Sequence, residues 1–87
     1  MLVGGENLVI GRIVHFVMKD GKHRPAIVVQ VWEDSVDGQC NLDVFTDGTN
    51  DGMDHDLVVW RTSVPFHNPA VNGPKPFSWH WPEKVQR

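Results

Sequence analysis

Apolar residues in this chain recur with a period of two, in short runs, and no stretch repeats with the helical period of 3.6. That pattern constrains the chain to β-structure. In residues 11–18 (GRIVHFVM), Val14, Phe16 and Met18 share one face, and Ile13, His15 and Val17 share the other. Asp20-Gly21 follows, a hairpin signal because such turns require positive φ. Residues 26–32 (AIVVQVW) are β-branched and almost continuously apolar, which reads as a strand buried on both faces. Pro25 can open that strand but cannot donate within it. Residues 40–46 (CNLDVFT) alternate again, with Leu42 and Val44 turned away from Asp43 and Phe45. Residues 57–64 (LVVWRTSV) form a further strand, and residues 79–81 a short closing one.

From Pro65 onward, prolines at 65, 69, 74, 76 and 82 forbid a long helix. The fold expected is all-β: a small SH3-like barrel or a rolled antiparallel sheet of about five strands, with an OB-type barrel as the alternative. The 87 residues make one domain. Residues 1–10 are expected as an edge strand or arm, 65–78 as an ordered proline-rich loop and 83–87 as a polar tail. A chain of this length buries only about 60–65% of its unfolded surface. Its single cysteine, Cys40, permits no internal disulfide. Stability must come from an aromatic core or from self-association, so a homo-oligomer is expected.

Charge narrows the partners. Of the eleven acids, eight lie between Glu33 and Asp56, and no Lys or Arg falls between Arg24 and Arg61. With a net charge of −3, a surface that wraps duplex nucleic acid is not expected. No apolar run approaches the ~18 residues of a membrane span, and the N-terminal residues lack the features of a secretory signal. A free thiol fits a reducing compartment.

Candidate chemistry sits in three places. The acidic segment DGTNDGMDHD at 47–56 matches the first half of a calcium loop, but its twelfth position is Val58 rather than a glutamate. Its residues read either as turn formers or, for Thr49, Asn50 and Asp51, as contacts to ligand hydroxyls or base edges. Trp79, His80 and Trp81 read either as a core plug or as a stacking platform for planar rings. Trp32 and Trp60 lie at strand ends, where barrel mouths are. Arg61, with Thr62 and Ser63 beside it, can fork onto phosphate oxygens, with Arg24 as a second candidate; the competing reading pairs Arg61 with the acidic loop. The five histidines show no ligand spacing and read as surface or capping groups. No metal, cofactor or catalytic residue is expected, since the sequence has no nucleophile elbow and no recognisable oxyanion device.

The stretches GRIVHF at 11–16, PAIVVQVW at 25–32, NLDVFTDGTND at 41–51, WRTSVP at 60–65 and WHWPE at 79–83 resemble a group of short uncharacterised proteins of tailed bacteriophages and prophages. Phe77-Ser78 stands here where that group would carry glycine and threonine. The resemblance implies a phage origin, expression in the cytoplasm of an infected bacterial host, and a role either in the virion and its morphogenesis or in blunting host defence. It lends no catalytic residue. Joined to the residue chemistry, it leads to an expected function without turnover: a binding protein that sequesters a small polar ligand, with a cyclic di- or oligonucleotide immune signal as the candidate. The alternative is a virion accessory or a protein that docks on a host protein.

Overall fold

The structure, a computed structural model, describes residues 1–48, 51 and 58–83. Among the described residues there are seven strands: β1 (Leu2–Val3), β2 (Glu6–Asn7), β3 (Ile13–Val17), β4 (His23–Val31), β5 (Cys40–Phe45), β6 (Val58–Val64) and β7 (Trp79–His80). β1 and β2 form a small ribbon of their own. The other five make one antiparallel sheet in the order β6-β5-β4-β3-β7. This is the rolled five-stranded sheet. It does not close into an SH3-like or OB-type barrel, because β6 and β7 remain its two edges. A single parallel bridge, Phe66 to Trp79, ties the chain leaving β6 to the far edge. There the Trp79 N–H donates to the Pro65 carbonyl at 2.9 Å, and the His67 N–H donates to the Trp79 carbonyl at 3.0 Å.

The period-two pattern decides the core. Val14 and Phe16 of β3, Ala26 and Val28 of β4, and Cys40, Leu42 and Val44 of β5 all face inward and are buried, joined by Leu8, Val64 and Trp79. On β4 only this inner face is closed. Ile27 and Val29 on the outer face are half-buried, so the expectation of a strand buried on both sides does not hold. β4 also begins earlier than its apolar run, at His23, and takes in Pro25. Pro25 pairs with His15 of β3, and pairing with β5 begins only at Ala26. At that point β4 has one neighbour, a position where a residue without an N–H is tolerated. The β3–β4 hairpin closes through a three-residue loop: Met18 N–H donates to Lys22 O, Gly21 N–H donates to Met18 O, and Gly21 takes φ 90°.

Trp79 is fully buried, and its indole N–H donates to the Gly38 carbonyl at 2.9 Å. Phe66 and Trp81 meet its ring edge-on, at centroid distances of 4.9 and 5.0 Å. Gly38 holds φ 61°, and a Cβ there would stand 2.8 Å from Val3 Cγ1. The β1–β2 ribbon packs close to the same place. A Cβ on Gly4 would meet the Phe66 ring at 2.8 Å, and Trp81 Nε1 donates to the Val3 carbonyl. In the proline-rich loop, His67 Nε2 lies 3.0 and 3.1 Å from the carbonyls of Val71 and Gly73, which makes it a capping histidine. Among the described residues no helix is long and apolar enough to cross a membrane.

Replacing Trp79 by alanine removes this hub and leaves the Gly38 carbonyl without its donor. The expected loss is about 3–5 kcal/mol of unfolding free energy, read by urea denaturation. Burial pushes the Cys40 thiol up to about 12, so a disulfide reagent at neutral pH should label it slowly in the folded chain and rapidly once urea unfolds it.

Candidate functional site

On β6 the sequence Trp60-Arg61-Thr62-Ser63 breaks the regular ladder. Leu42 of β5 pairs with Arg61 and Cys40 with Val64, so Thr62 and Ser63 together face Asn41 alone. This is a β-bulge, a device that re-aims side chains at a sheet edge. Asn41 sustains it by accepting from the Ser63 N–H at 2.9 Å, and Ser63 is held at φ 51°, a left-handed conformation unusual for serine. All four residues are exposed. They line a groove of about 400 Å³ whose other wall includes Phe16 and Phe77. Trp60 is 58% exposed and Phe77 51%. The Thr62 and Ser63 hydroxyls lie 3.4 Å apart. Among the described residues Arg61 has no ion-pair partner; it also lines a small inner recess with Phe16, Val44 and Asp51.

Among the described residues, the arginine that pairs with the acidic segment is Arg24. Its Nε and Nη2 donate to the two carboxylate oxygens of Asp51 at 2.7 and 2.6 Å, a bidentate fork with side chains only 19% and 3% exposed. Asp51 also accepts from the Asp47 N–H at 2.6 Å. The Arg24 hydrogen bonds, against the opposing cost of desolvation, carry the Asp51 carboxyl down to about 2. Arg24 and Asp51 are thus engaged with each other. Thr49 and Asn50 lie outside the described residues.

The other sequence candidates separate from the groove. Trp79 is the core plug, which decides between its two readings. Trp81 is half-buried, and the Arg12 guanidinium lies 4.4 Å from its ring centroid, so an internal cation covers that ring. Trp32, just past β4, is partly exposed and does not line the groove.

His80 enters a different group, one that residue spacing does not reveal. β7 pairs with β3 so that His80 stands opposite His15, and β4 pairs with β3 so that His23 stands opposite Val17. Since alternate residues share a face, all three imidazoles project from the outer face. Their ring centroids are 4.7 Å (His23–His80), 5.4 Å (His15–His80) and 6.1 Å (His15–His23) apart. Glu83 joins them, with carboxylate oxygens 3.3 Å from His15 Nδ1, 3.8 Å from His23 Nδ1 and 3.6 Å from His80 Nδ1. One possible ligand atom from each of the four lies within 4.8 Å of the others. Glu83 is held below the ordinary carboxylate range, first by its own backbone N–H and then by the neighbouring histidines, with desolvation opposing. The reading of histidines as surface or capping groups suits His67 and fails for these three. The available sequence signal was His15 on the non-core face of its strand, together with a hairpin that returns His23 beside it.

Comparison with protein-family models, with curated proteins and with solved structures finds no match to this chain.

The Arg24–Asp51 fork sets a pH dependence. The Asp51 pKa is lower in the folded chain, about 2, than the ~3.9 of an unfolded aspartate. Its contribution to stability is therefore complete above about pH 4 and is lost as pH falls toward about 2. Thermal melts across that window should show Asp51→Asn less stable than the parent at neutral pH, with a smaller further loss on acidification.

Proposed function

We propose that this chain is a small binding module that captures a planar, anionic small molecule of the cyclic di- or oligonucleotide class and releases it unchanged. The observation that carries this reading is the groove beside the β6 bulge, where two exposed aromatic rings, Trp60 and Phe77, accompany the Arg61 guanidinium and two hydroxyls. Indole offers a face for a nucleobase, guanidinium a fork for phosphate, and Thr62 and Ser63 supply donors and acceptors for orientation. With Asp51 taken up by Arg24, the reading of base edges passes to these hydroxyls. The resemblance to phage proteins supports a role as a sponge for a host immune signal, in the cytoplasm of the infected cell. Stoichiometric capture suits the groove, which has an anion holder but no nucleophile–base pair among its lining residues.

Titration calorimetry of the untagged protein against a panel of cyclic nucleotides tests this. At least one should bind and be recovered chemically intact. Trp60→Ala should weaken it about 5- to 150-fold, the equivalent of one lost stack at ~1–3 kcal/mol. A panel without a single binder, or a binder indifferent to both Trp60→Ala and Arg61→Ala, sinks the proposal.

A second reading, a virion accessory or host-docking protein that self-associates, is favoured by the exposed apolar side chains of Leu2, Val9, Ile10 and Ile13. Detection of the chain in purified virions would select it.

A further inference from the structure

We infer that His15, His23, His80 and Glu83 form a binding site for one divalent transition-metal ion, zinc in the cell, which fastens β7 and the segment after it to the outer face of the sheet. This site is separate from the β6 groove and does not rest on the proposed function.

Four observations carry it. The first is distance. A tetrahedral ion with bonds of about 2.0–2.1 Å sets its ligand atoms about 3.3 Å apart. His23 Nδ1 and His80 Nε2 are 3.3 Å apart, as are His15 Nδ1 and the nearer Glu83 oxygen. Two edges of the tetrahedron are already at length, and the widest separation in the four-residue group, up to 4.8 Å, would close by as much as about 1.5 Å through side-chain rotation of the half-exposed Glu83 and the imidazoles.

The second is proton placement. His80 Nδ1 lies 2.8 Å from the Trp81 carbonyl, which can only accept. The proton is therefore on Nδ1, and the lone pair of Nε2 turns toward His23. A metal-binding histidine characteristically anchors its second nitrogen on a carbonyl in this way, which fixes both tautomer and ring orientation.

The third is an unmet need. His15 Nδ1 is buried without a hydrogen-bond partner, even though Glu83 stands 3.3 Å away. A buried nitrogen in that state is costly unless something else satisfies it, and an ion at the centre of the group would.

The fourth is the donor set. Three imidazoles and one carboxylate suit zinc, copper or nickel, whereas magnesium and calcium require a shell of oxygens. One carboxylate also offsets half the charge of a divalent ion. Because the ligands come from β3, β4, β7 and the residues beyond it, the ion would bridge strands that are remote in sequence. In a chain with a small core and no disulfide, such a staple is a common route to stability.

The test uses untagged protein stripped with a chelator. One equivalent of zinc should bind per chain and raise the melting temperature by about 10 °C or more at a hundredfold excess over Kd, while magnesium does nothing. Cobalt(II) should give the intense visible absorption of a tetrahedral site. His23→Gln and the half-exposed Glu83→Gln should each abolish or weaken that spectrum, and His67→Gln, outside the group, should leave it intact. Glu83→Gln keeps the test valid even where a histidine variant folds poorly. Absence of any zinc-dependent shift overturns the inference, and so does an octahedral cobalt spectrum. Zinc binding that survives both His23→Gln and Glu83→Gln overturns it as well.

Discussion

The hydrogen bond from the Trp79 indole to the Gly38 carbonyl is the contact around which the fold is arranged. It satisfies the one polar atom of the largest buried side chain, so the ring can sit in the core without a desolvation penalty. It also ties the last strand of the sheet to the turn before β5. The same residue uses its backbone to reach Pro65 and His67, which gathers the edge of β7, the exit of β6 and the core at one point. A side chain at Gly38 would meet Val3 Cγ1 at 2.8 Å and Phe66 Cβ at 3.2 Å, so the turn that receives the indole is also closed over by the β1–β2 ribbon and by Phe66.

A second constraint follows from strand register. Because Phe16 pairs with Trp79, the neighbouring pair His15 and His80 must lie on the opposite face. One register therefore builds both the aromatic interior and, on the other face of the sheet, the imidazole group, within which His80 is itself buried. The β6 edge works differently. Its bulge spends regular pairing at Thr62 and Ser63 to present side chains outward, supported by Asn41 on the neighbouring strand.

Much of this was legible in the residues. Alternation in β3 and β5 grouped Val14 with Phe16 and Leu42 with Val44, which the core does bury together, and Asp20-Gly21 located the hairpin, because both signals are local. The alternation gave no sign that Val17, on the opposite face of β3, is buried too. Trp60, Arg61, Thr62 and Ser63 are adjacent in sequence, and the structure does bring them to one groove. What stayed hidden depends on pairing between distant segments. Nothing near residues 79–81 says that they join β3 rather than another edge, and without that pairing His15 and His80 are unrelated. The choice of Arg24 over Arg61 as the partner of Asp51 was equally invisible, since it turns on which guanidinium the rolled sheet carries to the acidic segment. Trp79 and Trp81 look alike in the sequence. Their burial differs because Trp79 lies inside β7 and Trp81 just past it, beneath Arg12.

The link between Trp81 and Val3 spans 78 positions, and that between Trp79 and Gly38 spans 41. Contacts this remote are gained only after long loops have closed, which places the molecule among the slower-folding small proteins. During synthesis, the first three strands of the main sheet can pair while the ribosome still holds the remainder. Their inner apolar surface stays open to chaperones or to other nascent chains until Val64 and Trp79, the last core side chains in the sequence, arrive to complete it.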